Sequence, residues 1–100
     1  MKRVMVRYRV KPDRVEENVT KVRAVYDELA QTKPVGLRYA TFRLPDGVSF
    51  IHFAEVDGDT NPLQQVAAFK AFSANIAERC DEPPAPFDLT EVASYRWNRD

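Results

Sequence analysis

The chain has 100 residues, 44% of them hydrophobic and 30% charged, with 15 basic side chains balanced by 15 acidic ones. That length suits a single domain, 1–100, with a modest core, and no apolar run approaches a membrane span. Zero net charge removes the basic surplus that drives nucleic-acid binding, and a lone cysteine, Cys80, supports neither a disulfide framework nor a cysteine-rich metal site.

Charge is unevenly spread. Residues 1–50 hold 11 Lys/Arg and 6 Asp/Glu, and residues 51–100 hold 4 and 9, so the halves carry +5 and −5. The two halves are expected to face each other within the fold or across a dimer. No signal-peptide pattern opens the chain, so a cytoplasmic location is expected.

"RVMVRYRV" alternates, with Val4, Val6, Tyr8 and Val10 on one side and Met5, Arg7 and Arg9 on the other, as a strand with one apolar face does. "KPDRVEE" then opens a helix, with Asp13 as its cap and Glu16 completing a box-like pair. Val15, Val19, Val22, Val25, Tyr26 and Leu29 follow at helical spacing. Pro34 and Gly36 end that helix.

Residues 37–44 and 48–56 read as two strands joined by "LPDGV". A type I turn with Gly47 in a left-handed bulge makes a three-residue loop. This register pairs Leu44 with Val48, Phe42 with Phe50 and Ala40 with His52, and puts Tyr39 on the side of Phe53. Pro62 opens a second helix running to about Cys80, with Val66, Phe69, Phe72, Ile76 and Cys80 as its stripe. "DEPPAPF", with three prolines, reads as irregular, and "DLTEVASYRW" as the last strand. The order β-α-β-β-α-β predicts an α+β, ferredoxin-like domain: a four-stranded antiparallel sheet, strands one and three central, both helices on one face.

The other sheet face then needs a cover. By the expected register it carries Met5, Arg7, Phe42, Val48, Phe50, His52 and Val56 among others, a largely apolar surface. "DGVSFIHF" partly fits the RNA-recognition strand pattern K/R-G-F/Y-G/A-F-V-x-F/Y, and Phe50 would be a stacking ring. The other stacking slots hold Val48 and Met5, and the basic first position holds Asp46, so no nucleic-acid partner is expected.

A second copy of the same sheet is the alternative cover, and here the sequence resembles the dimeric α/β-barrel superfamily, in its antibiotic-biosynthesis-monooxygenase-like branch. The resemblance is carried by a first strand running into "VKPDRVEENV", the hairpin "GLRYATFRLPDGVSFIHFAEV", "ERCDEPP" after a short second helix, and "TEVASYRW". It covers nearly the whole chain. It implies a homodimer with facing sheets, and a ligand pocket between helices and sheet. The family holds cofactor-free monooxygenases of polycyclic aromatic substrates, haem-degrading enzymes and isomerases. Its oxidising members resemble one another in a strand-one Asn and a helix-region Trp. Residues 2–11 here contain no Asn and the one Trp is Trp97, so those roles are not carried over.

The catalytic candidates are His52, which titrates near neutrality, and Arg7. Against them stand a packed, hydrogen-bonded histidine facing the dimer interior, and arginines (Arg7, Arg9, Arg38) paired with carboxylates such as Glu91. Asp13 and Glu16 are explained by capping, and Cys80 as a small buried group. Tyr8, Tyr39, Phe53, Phe69 and Phe72 are expected to wall a pocket for a flat, partly polar aromatic or quinone-like molecule, or else to fill the core. No cofactor and no metal site is expected. Two functions stay open: a small monooxygenase-like enzyme, and a non-catalytic dimeric ligand-binding or stress-related module.

Overall fold

The computed structural model describes residues 1–97. In chain order the elements are β1 (Lys2–Val10), α1 (Val15–Thr32), β2 (Leu37–Arg43), β3 (Ser49–Val56), α2 (Ala67–Ala74), α3 (Ile76–Arg79) and β4 (Cys80–Leu89), with single 3-10 turns at Pro12–Arg14 and Pro62–Gln65. The strands form one antiparallel sheet in the order β2-β3-β1-β4, so β1 and β3 are central. This is the ferredoxin-like arrangement expected from the element order. No helix among the described residues is long and apolar enough to cross a membrane.

The core lies between the sheet and the helices. Tyr8 and Val10 of β1, Phe50 of β3, Val22 and Val25 of α1, Leu63, Val66 and Phe72 form its buried cluster. The even-numbered alternation of β1 supplies the sheet side, as period-two patterning requires.

The β2–β3 register differs from the expected one by a single residue. Thr41 opposes His52, Phe42 opposes Ile51 and Arg43 opposes Phe50. The loop holds four residues, not three: Leu44 N–H donates to the Ser49 carbonyl at 2.9 Å. The Asp46 carboxylate sets this length by accepting from the Val48 and Ser49 amides (3.0 and 2.8 Å) and from the Ser49 hydroxyl (2.6 Å). Gly47, at φ 79°, takes the left-handed position. A one-residue slip turns every side chain of a strand to the other face. Phe50 and His52 therefore sit under the helices, opposite Tyr8 and Val6, and not in a dimer interior. Ile51 and Phe53 lie on the open face with Met5 and Arg7.

Three further expectations are corrected. Asp13 is not a cap, because a 3-10 turn precedes α1 and Arg14, its N-cap residue, makes no side-chain cap bond. The second helix is broken at Val66, which is extended (φ −91°, ψ 114°), and again at Asn75. The Glu28 carboxylate of α1 accepts from the amides of Ala67 and Ala68 at 3.1 and 2.9 Å, capping α2 from another element. Finally, the last strand is Cys80–Leu89, and residues 90–97 lie outside the sheet. Its prolines are tolerated because β4 is an edge strand, where half the amides need no partner. Register shifts between Arg7 and Val10 absorb the Pro83-Pro84 pair.

Candidate functional site

The slip brings His52 into a cavity of about 320 Å³ between the sheet and α2. Tyr8 and Tyr39 line it from the sheet, Phe69, Phe72 and Ile76 from the helices, and Pro84 from the edge strand. The imidazole is 5% exposed and sits between two phenols. Its Nε2 is 2.7 Å from the Tyr8 hydroxyl and its Nδ1 is 2.6 Å from the Tyr39 hydroxyl, with Thr41 Oγ1 at 3.2 Å. Tyr26 Oη lies 2.8 Å from Thr41 Oγ1.

Ring packing holds these groups in place. Tyr8 stacks on Phe50 with centroids 5.6 Å apart, Tyr26 stacks on Tyr39 at 5.3 Å, and Phe72 lies 5.4 Å from the His52 ring. Phe69 meets Tyr39 edge-on at 6.4 Å. Such pairs each contribute roughly 0.5–1.5 kcal/mol beyond burial.

Behind Tyr8 stand two buried polar residues that the sequence reading did not single out as site residues. Asn18 of α1 and Arg79 of α3 are both fully buried. Asn18 Nδ2 donates to the Tyr8 hydroxyl at 3.0 Å, and its Oδ1 accepts from Arg79 Nε and Nη2 at 3.3 and 3.2 Å. Arg79 also donates to the Phe72 carbonyl at 3.1 Å and lies over the Phe72 ring. Each occupies a position on an apolar stripe, Asn18 one turn before Val22 and Arg79 three residues after Ile76. A polar side chain inside an apolar stripe was the available signal.

Burial decides the charge state of the cluster. It pushes His52 down from 6.5 to about 4, so the ring is neutral at pH 7. It pushes the Tyr8, Tyr39 and Tyr26 hydroxyls up, so all three stay protonated. The lining therefore offers hydroxyls and a neutral imidazole against aromatic walls.

Of the residues expected to wall a pocket, Tyr8, Tyr39, Phe69 and Phe72 line this cavity. Phe53 does not: it lies on the open face, edge-on to Phe42. Arg7 is exposed on that same face, across the sheet from His52. Arg9 pairs with Glu82 at 3.0 Å, and Arg38 with Glu55 and Asp57 at 3.0 and 3.4 Å. Cys80 is buried, which raises its thiol. Among the described residues no three His, Cys, Asp or Glu side chains come together as a metal site would need. A larger hollow, about 400 Å³, lies on the open face beside Phe53, Leu89 and Trp97. Its charged groups Arg3, Arg38 and Glu55 are ion-paired to one another, so the polar groups that converge without charge are those of the helix-side cavity.

No protein-family model matches the chain, and no curated protein matches it in sequence. Solved structures match it in fold. A Nitrosomonas europaea protein described as a candidate antibiotic biosynthesis monooxygenase superposes with a TM-score of 0.75 at 15% identity, over 93% of this chain and 100% of its own. The chain has the fold of that protein. A structure described as an antibiotic biosynthesis monooxygenase gives 0.71 at 18% identity over 93% and 100% of the two chains. A conserved protein from Methanosarcina mazei Go1 gives 0.72 at 17% identity over 88% and 89%. The ferredoxin-like fold of these proteins is thus shared along nearly the whole of this chain, at identities that speak to fold alone.

Proposed function

We propose that the protein binds a small, flat aromatic or quinone-like molecule in the helix-side cavity and oxidises it as a cofactor-free, monooxygenase-like enzyme. One observation carries this reading: aromatic walls enclose an uncharged Tyr8–His52–Tyr39 cluster in a cavity of about 320 Å³. That is the composition that recognises a ring system bearing one or two oxygen atoms. Without a cofactor, the two electrons that reduce one oxygen atom to water come from the substrate. For 1-naphthol the balance is C10H8O + O2 → C10H6O2 + H2O, giving 1,4-naphthoquinone. Tyr39 would hold the naphthol oxygen, with His52 hydrogen-bonded behind it. The neutral cluster and the fold shared with structures described as monooxygenases support the reading.

A second reading, a non-catalytic ligand-binding or stress-related module, is favoured by one feature. An imidazole pushed down to about 4 is a weak base for drawing a proton from a phenol at pH 7. Oxygen-electrode and absorbance measurements with 1-naphthol separate the two. Turnover above the buffer rate, with one O2 per quinone formed and a loss of roughly 100-fold in His52→Gln, is expected for the enzyme. Saturable binding without oxygen uptake gives the binding module. No binding at all ends both.

We propose also that the protein works in the cytoplasm as a homodimer, with a second copy covering the open sheet face. Phe42 and Phe87 are 54% and 50% exposed there, and Met5, Ile51, Phe53 and Leu89 extend the patch. A surface so apolar asks for a partner, and the family resemblance of the sequence supports a second copy of the same sheet in that role. Phe53→Glu is expected to give a folded monomer by analytical ultracentrifugation at micromolar concentration, where the wild type sediments as a dimer. A monomeric wild type would refute the assembly.

A further inference from the structure

The cluster around His52 has a direction, and it is set at its buried end. Arg79 has only donors, so the Asn18 atom facing it at 3.2 and 3.3 Å is the amide oxygen, and the amide nitrogen faces Tyr8. The Tyr8 oxygen therefore accepts from Asn18 and spends its own hydrogen on His52 Nε2, 2.7 Å away. A neutral imidazole whose Nε2 accepts carries its hydrogen on Nδ1. That hydrogen points to the Tyr39 oxygen at 2.6 Å, with Thr41 Oγ1 sharing it at 3.2 Å. Tyr39 is then an acceptor toward His52; its own hydrogen has Thr41 as a side-chain partner and otherwise faces the cavity that Tyr39 lines.

Building on the proposed ligand-binding reading, we propose that Arg79, Asn18, Tyr8 and His52 are positioning residues that point one chain of hydrogen bonds outward. Tyr39 ends it as the donor that meets a carbonyl-type oxygen of the ligand in the cavity. The ligand class this selects is an aromatic molecule bearing a hydrogen-bond acceptor, a quinone or an aryl ketone, over a plain hydrocarbon of the same shape. Successive bonds in such a chain polarise one another, so a neutral chain tied to the buried Arg79 guanidinium makes Tyr39 a stronger donor than an isolated phenol.

The test begins with the wild type, because the chain has one histidine and its ring nitrogens are assigned without ambiguity. Long-range 1H–15N spectra at pH 7 are expected to show hydrogen on Nδ1 and a lone pair on Nε2. Asn18→Asp should reverse the arrow. Its carboxylate accepts from both Arg79 and Tyr8, so the Tyr8 oxygen accepts from Nε2–H, and Nδ1 takes the Tyr39 hydrogen. Calorimetry with 1,4-naphthoquinone and with naphthalene then reads the consequence. Asn18→Asp and Tyr39→Phe should each weaken naphthoquinone binding about tenfold and change naphthalene binding by less than about twofold. An Nε2–H tautomer in the wild type overturns the proposal. So does an unchanged tautomer in Asn18→Asp, or a loss that is equal for the two probes or absent for both. If neither probe binds the wild type, the ligand-binding reading fails with the ligand part of this one, while the spectra still decide the direction of the chain.

Discussion

Phe50→Ala is expected to cost about 3–5 kcal/mol of folding stability, the usual range for emptying a buried phenylalanine site. Phe50 is 3% exposed, stacks on Tyr8 and belongs to the central cluster between sheet and helices. Its removal leaves a void beside Tyr8, and the neighbouring strand β1 cannot collapse into it without breaking its ladder with β3. Because the site lies inside one chain, the loss in urea-unfolding free energy should not depend on protein concentration. Phe53→Ala, on the open face, is expected to cost less in the folded chain and to show its effect through concentration. If Phe53→Ala proved the more damaging in a dilute monomer, the register of β3 described above would be wrong.

Acid should weaken the fold through His52. The ring titrates at 6.5 when unfolded and near 4 when folded, because burial disfavours its charged form. Between those values the unfolded chain binds more protons than the native one, so stability falls as pH is lowered from 6.5 toward 4 and the loss levels off below that. The lost stabilisation between pH 6.5 and 4.5 is about 2–3 kcal/mol, at about 1.36 kcal/mol for each unit. Glu17 and Asp46 act lower. Their carboxyls are held below 4.5 and 3.8, by the Arg14 hydrogen bond and by the Ser49 hydroxyl and amide respectively, so their contributions disappear only as pH falls below those values. Urea midpoints measured from pH 7.5 to 4.5 should therefore slope downward in the wild type and stay nearly flat in His52→Gln. Equal slopes in the two proteins would mean that the histidine is not the titrating group.

The same residue explains why the open-face reading of "DGVSFIHF" does not hold. Phe50 faces the helices and is covered, so it offers no ring to a base, and His52 faces Tyr8 and Tyr39 rather than a partner. What the stretch contributes to the sheet's outer side is Ile51 and Phe53.

Local chemistry was enough for the order of elements, the antiparallel sheet with β1 and β3 at its centre, and the side of the sheet on which Tyr8 and Tyr39 stand. Alternation with period two in β1, the apolar stripe of α1 and the left-handed Gly36 and Gly47 are properties of neighbouring residues, and they survive into the fold. The facing of β3 rests on a short-range contact that residue type and periodicity do not fix. It depends on whether the hairpin loop has three residues or four, and the Asp46 carboxylate, closing on two amides and a hydroxyl, decides that in space. The place of β4 depended on which sheet edge was free to tolerate prolines. The polar end of the cavity depended on Asn18 and Arg79 meeting across 61 residues of chain, a contact that no periodicity encodes and that only the tertiary fold brings about.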